Sequence, residues 1–314
     1  VTNETERQVR QTIRKIKKQN PNSKLVLTGC AAQISPSTYN QMKEVDHLVD
    51  NINKLKPEAW NNIFDENPED NFIQDIFDEV NDAAPTLQGE SHKARESLVI
   101  QQGCNHRCTF CIIPFGRGNS ISLPLGEIVK RTEDIINYGY SEIVITGVDI
   151  TSYGHDLPGK PLLGQILKRL LKIVPKITRL RLSSIDPAEI DEDLLDIIIN
   201  EPKLMPHIHF SVQSGNNLIL KRMKRRHDRE TVIKVCQDLR NHRKDITFGA
   251  DLIVGFPTET HFNFKNTLDL ISECKFNNVH FFPFSARNKT PAARMPQVLN
   301  SVIKSRIKIA KSFT

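Results

Sequence analysis

The sequence predicts an α/β protein in which a partial, parallel (β/α)6 barrel follows part of a smaller α/β domain. Three features carry that expectation. Beyond residue 97, short apolar runs bounded by Gly, Ser and Asp alternate six times with amphipathic helical stretches, the pattern of a right-handed parallel sheet. Before residue 64 a shorter alternation of the same kind occurs. Between them, residues 65–96 carry Asp65, Glu66, Glu69, Asp70, Asp75, Asp78, Glu79 and Asp82 on no sustained period, which reads as an acidic linker with room for one short helix. The expected organisation is therefore 1–64, 65–96 and 97–314. A full eight-stranded barrel needs two more units.

Taken in order, Thr2 or Asn3 caps an amphipathic helix with Val9, Ile13 and Ile16 on one face. Its other face carries Arg7, Arg10, Arg14, Lys15, Lys17 and Lys18, either a solvated surface or a track for a phosphate backbone. After Asn20-Pro21-Asn22, Lys24 to Thr28 forms a short buried strand running into Gly29 and Cys30. Cys30 thus sits at a carboxyl strand edge, where open α/β sheets bind ligands. A helix opens near Pro36, a strand lies around His47 to Val49, and a helix spans Lys56 to Ile63. The six later strands are expected at 98–102, 142–146, 179–184, 207–213, 247–254 and 279–284. The helices between them open at Leu125, Leu163, Asp191, Asn217 with Arg229, and Thr260.

Composition bounds the function. With 38% hydrophobic and 25% charged residues the 314-residue chain is an ordinary soluble sequence, with no apolar run of membrane-spanning length. Nothing resembles a signal peptide, so a cytosolic, reducing location away from membranes is expected. A net charge of +6, from 43 basic and 37 acidic residues, permits nucleic acid without requiring it. The first residue is Val1, directly on a helix start, which reads as a fragment of something longer.

Three of the six cysteines fall within eight residues, in Gln102-Gly-Cys-Asn-His-Arg-Cys-Thr-Phe-Cys-Ile-Ile-Pro114. In a chain this size that is a soft-metal site rather than a disulfide framework. Zinc needs four ligands, and His92 or His106 would have to supply the fourth. An iron–sulfur cluster held by Cys104, Cys108 and Cys111 alone would leave one iron open to a substrate. The loop follows the first barrel strand, and barrels build their sites from loops at carboxyl strand ends. Thr146 to Gly154, Ser183 to Pro187, Ser211 to Gly215, Ala250 to Thr260 and Phe284 to Pro291 occupy the equivalent positions.

The spacing Cys-x-x-x-Cys-x-aromatic-Cys, with Phe110 before Cys111, resembles that of radical S-adenosylmethionine (SAM) enzymes. In those, SAM chelates the open iron of a 4Fe–4S cluster and is cleaved to a 5′-deoxyadenosyl radical. More narrowly, TGCAAQ, GCNHRCTFCIIPFGRG, TGVDITSYG, RLRLSSIDPAEI, FSVQSGNNLILKRMKRRH, ADLIVGFPTET and TPAARM together resemble the tRNA methylthiotransferases over nearly the whole chain. TGVDITSYG and SSIDPAEI look most like the branch acting on threonylcarbamoyladenosine.

That resemblance implies a TIM-like radical SAM barrel, a preceding domain with a second 4Fe–4S cluster and a trailing RNA-binding barrel. It makes Cys104, Cys108 and Cys111 the ligands of the radical cluster, with Phe110 beside the cofactor. Gly147 would meet the SAM amino group, Ser184 and Gln213 its carboxylate or ribose, and the backbone from Ile253 to Gly255 its adenine. Cys30 matches the last of three ligands of the auxiliary cluster. The other two would lie upstream of Val1, and the RNA-binding barrel beyond Thr314, so the expectation is a chain that cleaves SAM without completing sulfur insertion. Cys236 and Cys274 fall in apolar helical settings and read as core.

The implied reaction places a methylthio group on carbon-2 of the modified adenosine beside the anticodon, with the tRNA anticodon loop and an electron-donor protein as partners. The run Lys221 to His227 is either a solvated helix end or a phosphate contact. Isopentenyl-adenosine, a ribosomal-protein aspartate, and a non-catalytic iron–sulfur or RNA-binding remnant stand as alternatives.

Overall fold

The computed structural model describes residues 2–64, 73–77 and 94–313. Helix α1 (Asn3–Gln19) starts at Thr2, whose hydroxyl accepts from Thr5 N, and buries Ile13 against Leu25, Ala32, Tyr39 and Leu48. Strand β1 (Val26–Thr28) is followed by α2 (Cys30–Ile34) and α3 (Pro36–Asn40), then by β2 (His47–Val49) and α4 (Pro57–Phe64). β1 and β2 pair in parallel. The basic face of α1 is partly spent within the chain: Lys17 bonds Asp46 at 2.8 Å, Arg7 bonds Glu4 and Arg14 lies 3.8 Å from Glu44.

The expected linker lies mostly outside the described residues, and His92 with it. Within it, Ile76 is only 3% exposed and Gln74 N bonds Asp50, so residues 73–77 pack against the first unit rather than hang in solvent.

The second unit begins with β3 (Arg95–Gln102), α5 (Ile113–Arg117) and a two-residue β4 (Ile121–Ser122), antiparallel to β3. Then come α6 (Leu125–Asn137), β5 (Glu142–Gly147), α7 (Leu163–Ile173), β6 (Arg179–Leu182) and α8 (Glu192–Asn200). β7 (His207–Gln213) leads into α9 (Asn217–Met223) and α10 (Arg229–His242). β8 (Thr247–Val254), α11 (His261–Cys274), β9 (Asn278–Pro283) and α12 (Asn300–Lys311) complete it. All six expected strands are present. α2, α5, β4 and α12 were not foreseen, β4 because two residues carry no period.

The sheet runs β4-β3-β5-β6 and β7-β8-β9, parallel apart from β4. Single bridges between Leu180 and Leu204 and between Ile185 and Phe210 join the halves, so β6 ends at Leu182 instead of reaching residue 184. The result is a curled half-barrel. Its outer face, including Ile208, Phe210 and Val212 of β7, is sealed by the helices. By the period of two, His207, His209, Ser211 and Gln213 face the concave side.

The two units touch through the N-terminal end of α1 and through α2. Asn3 Nδ2 donates to Ala286 O at 3.0 Å, and Arg287 bonds Asn3 and Glu6. Gly116 of α5 packs on α2, and Asn51 Nδ2 donates to Gly116 O at 2.5 Å.

Helices α7 and α8 meet at Gly164, where a Cβ would stand 2.1 Å from Leu194 N and 2.4 Å from Asp191 Oδ1. Gly164→Val is expected to cost at least ~1–3 kcal/mol by overpacking, read as a lower urea midpoint at unchanged slope.

Candidate active site

The three clustered cysteines leave β3 through Gly103, whose φ of +65° and whose contact with Asn119 O, 1.8 Å from where a Cβ would be, exclude other residues. Cys104 N donates to Gly118 O at 3.1 Å and Cys111 N to Cys108 O at 3.0 Å, which closes the loop on itself. All three thiols line one cavity of about 250 Å³ at the carboxyl mouth of the half-barrel. Phe110, Ser184 and Gln213 line the same cavity.

Burial, reinforced by Asp149, pushes the Cys104 thiol up to about 12, and burial also raises Cys111. As free thiols they are poor nucleophiles; a metal that replaces their protons reverses that. Cys104 Sγ lies 3.5 Å from Asp149 Oδ2, and Arg225 Nη1 lies 3.8 Å from Cys108 Sγ.

The spread of the sulfurs discriminates between metals. One tetrahedral zinc with Zn–S bonds near 2.3 Å holds its sulfurs within about 4 Å of each other. Among the described residues the groups with ligand atoms mutually within 4.8 Å do not include the three thiols. Three thiolates are the set that leaves one iron of a cubane without a protein ligand. His106 is also taken: its Nε2 lies 3.1 Å from Ser152 Oγ and 3.3 Å from Asp149, and it contacts Arg226. His106 is therefore not free to serve as a fourth zinc ligand, and His92 lies outside the described residues.

The run Lys221 to His227 is the larger correction. Helix α9 stops at Met223, and Lys224 takes a left-handed conformation (φ 58°), which turns the next three residues into the barrel mouth. There Asp186, 2% exposed, meets Arg225 at 2.6 Å, Arg226 at 2.9 Å and His227 Nδ1 at 3.2 Å. His227 Nε2 reaches Val212 O at 3.0 Å, tying the cage to β7. Burial alone would raise the Asp186 carboxyl, but His227 and the two guanidinium groups outweigh it and hold it well below the usual carboxylate range. Arg225, Arg226 and His227 are therefore neither a solvated helix end nor a phosphate track.

Gln101, 1% exposed, is a second residue that sequence reasoning missed. Its Oε1 accepts from Val148 N (3.0 Å) and Asp149 N (2.8 Å), and its Nε2 donates to Gly103 O (2.9 Å) and Ser120 Oγ (2.8 Å). One side chain thus fixes the cysteine loop to the loop after β5. It also accounts for Gly147, where a Cβ would stand 2.6 Å from Gln101 O and 2.9 Å from Gln101 Oε1.

Gly147 and Cys30 line a neighbouring cleft of about 520 Å³, which shares Val148 and Ile113 with the cysteine cavity. Cys30 Sγ accepts from Arg117 Nε at 3.1 Å, and among the described residues it joins no group of three close ligating side chains. Ile253 packs with Phe110 and Phe256 in an apolar cluster. Gly255 faces away from the cavity: its φ is +79° and a Cβ would strike Ile303 of α12 at 2.4 Å. Its requirement for glycine is helix packing.

A half-barrel whose first strand-end loop presents three spread thiols to a common cavity is the architecture of radical SAM proteins. The family model for the Radical SAM superfamily matches residues 98–271. A threonylcarbamoyladenosine tRNA methylthiotransferase (MtaB) of Rickettsia prowazekii (strain Madrid E) is 49% identical over 99% of this chain and 73% of its own. A tRNA-2-methylthio-N(6)-dimethylallyladenosine synthase of Orientia tsutsugamushi (strain Boryong) is 38% identical over 73% of this chain and 50% of its own. Among solved structures, the radical SAM methyltransferase TsrM of Kitasatospora setae shares the fold at 15% identity, with a TM-score of 0.65 over 87% of this chain and 57% of that one. The chain belongs to the radical SAM tRNA methylthiotransferases, in the threonylcarbamoyladenosine branch.

Removing the charge at Asp186 strands two guanidinium groups, so Asp186→Asn is expected to destabilise by ~3–5 kcal/mol. Because the folded carboxyl titrates below its ordinary 3.8, that contribution is complete above this value and fades only as pH falls beneath it. Urea unfolding should show a constant gap between wild type and variant from pH 7 down to about 5, narrowing below about 4.

Proposed function

We propose that this chain supplies the radical SAM step in the methylthiolation of carbon-2 of threonylcarbamoyladenosine beside the tRNA anticodon. The observation that carries the reading is the opening of Cys104, Cys108 and Cys111 into one cavity with Ser184 and Gln213. These thiols would hold a 4Fe–4S cluster with one open iron. Held by these residues, the cluster would supply the one-electron reductive cleavage of bound SAM. The target C–H has no acidic proton, so the site needs aim and exclusion of water more than a general base.

The side chains suit that task. Gln213 ends β7 in a left-handed conformation (φ 72°) at a register shift, and it lines the cavity with Ser184. Both are placed for hydrogen bonds to the polar methionyl or ribose groups of SAM. Arg225, held by Asp186, presents fixed positive charge beside Cys108. Phe110, edge-on to Phe256, closes the apolar side. Cys30 would belong to the second cluster of the family, and one thiol alone does not hold a cubane.

The partners on this reading are a tRNA anticodon loop, whose splayed bases can be read singly, and a one-electron donor. The cytoplasm is where both would be met. Among the described residues no helix is long and apolar enough to cross a membrane.

Anaerobic reconstitution should load iron into the wild type, and each of Cys104→Ala, Cys108→Ala and Cys111→Ala should lose it together with SAM cleavage to 5′-deoxyadenosine. Cys236 and Cys274 are fully buried behind the sheet, so Cys236→Ala and Cys274→Ala should keep both. Unchanged iron content in any of the first three variants would sink the assignment.

A further inference from the structure

One cluster of titratable side chains stands outside the cysteine cage. On the concave face, where β7, β8 and β9 run side by side, His209 Nε2 lies 2.9 Å from Asp251 Oδ1, and His280 Nδ1 lies 3.1 Å from the same oxygen. The two rings are tilted with centroids 5.0 Å apart. Gly249 makes the room, since a Cβ there would stand 2.4 Å from His209 Nδ1. Both contacts fall on Oδ1. Among the described residues Asp251 Oδ2, His209 Nδ1 and His280 Nε2 have no hydrogen-bond partner.

These open polar atoms border the radical site, because Asp251 also lines the cysteine cavity. Two residues beyond His280, Phe282 shares its face, meets its ring edge-to-face at 6.4 Å, and is 46% exposed. Val279 and Phe281 of the same strand pack the opposite way, into the helix-backed core. An exposed aromatic ring on a concave wall, beside unpaired donors and acceptors, has the makings of a seat for a splayed base: the ring stacks, and the polar atoms read what the base carries.

We propose that this wall is the subsite for the target base, with Phe282 stacking the adenine and His280, braced by Asp251 and His209, binding the polar substituent on its exocyclic nitrogen. The inference rests on the methylthiotransferase reading and deepens it by naming what selects the base. A threonylcarbamoyl group offers N–H and O–H donors for Asp251 Oδ2 and a carboxylate for the His280 ring. An isopentenyl group offers none, and would leave those protein atoms unpaired on binding, which is a strong form of rejection.

The test uses reconstituted protein with SAM and three anticodon stem–loop RNAs that differ only at the target base: threonylcarbamoyladenosine, isopentenyladenosine or adenosine. Affinities are read by fluorescence anisotropy. Wild type should bind the first RNA at least about tenfold more tightly than the other two, a gap of ~1.4 kcal/mol. Phe282→Ala should weaken all three by roughly tenfold, the loss of one stacked base. His280→Ala should bring the first RNA level with the others, and His280→Gln, which keeps an N–H, should retain part of the preference. In His280→Ala a merely structural effect would lower all three affinities and leave their ratio alone; for Phe282, Phe282→Trp, which keeps a stacking ring, should hold the affinities that Phe282→Ala loses, and equal loss in both overturns the stacking role. Equal binding of the three RNAs by wild type, a preference for isopentenyladenosine, or a threonylcarbamoyl preference that survives in His280→Ala overturns the subsite. SAM cleavage by the same wild-type protein reports separately on the radical chemistry, so its absence would remove the proposed function without being confused with the RNA result.

Discussion

The ion cage around Asp186 is the interaction on which the barrel mouth depends. A single buried carboxylate gathers Arg225, Arg226 and His227, and through them ties the loop after β6 to the α9–α10 connection and to Val212 of β7. Taking one carboxylate and its cationic partners out of water is costly, and the arrangement holds only because nearly every donor is met. What it provides is position. Arg225 is brought beside Cys108 and Arg226 beside His106, Asp149 and Glu189, so the floor of the cysteine cavity is set by charge rather than by loop packing.

Gln101 does for the opposite wall what Asp186 does for the floor. Its amide spans Gly103 and the backbone of Val148 and Asp149, and Asp149 in turn meets Cys104. The cysteine loop is therefore held from β3 and β5 on one side and from β6 and β7 on the other. The first unit joins at the same place: α2 packs on α5, directly after the cysteines, and brings Cys30 to Arg117. The half-barrel and the smaller unit meet at the metal loop as well as where Arg287 bonds Asn3 and Glu6.

The fold was legible because both of its periods are local. Strand and helix alternation is written within ten or so residues, and so is the cysteine spacing. What escaped is written across distance. Arg225 to His227 looked like a helix end because nothing in the run reveals that α9 stops at Met223 and that Lys224 turns left-handed. Gln101 looked like one polar residue in an apolar strand. Asp251 and its two histidines come from three strands and meet only through register, His209 being 42 residues and His280 29 residues from Asp251. Gly255 fell in a motif read as cofactor-facing, and its neighbour in space, Ile303, lies in a helix the reading did not foresee.

The central claim is that three protein thiols hold a cluster whose fourth iron is left for SAM. Electron–nuclear double resonance on the reduced, reconstituted protein tests this directly, using SAM labelled with 15N at its amino group and 17O at its carboxylate. The account predicts hyperfine coupling with an isotropic part from both labels, which requires a bond to iron. Iron-loaded protein that binds SAM but shows coupling from neither label would contradict it.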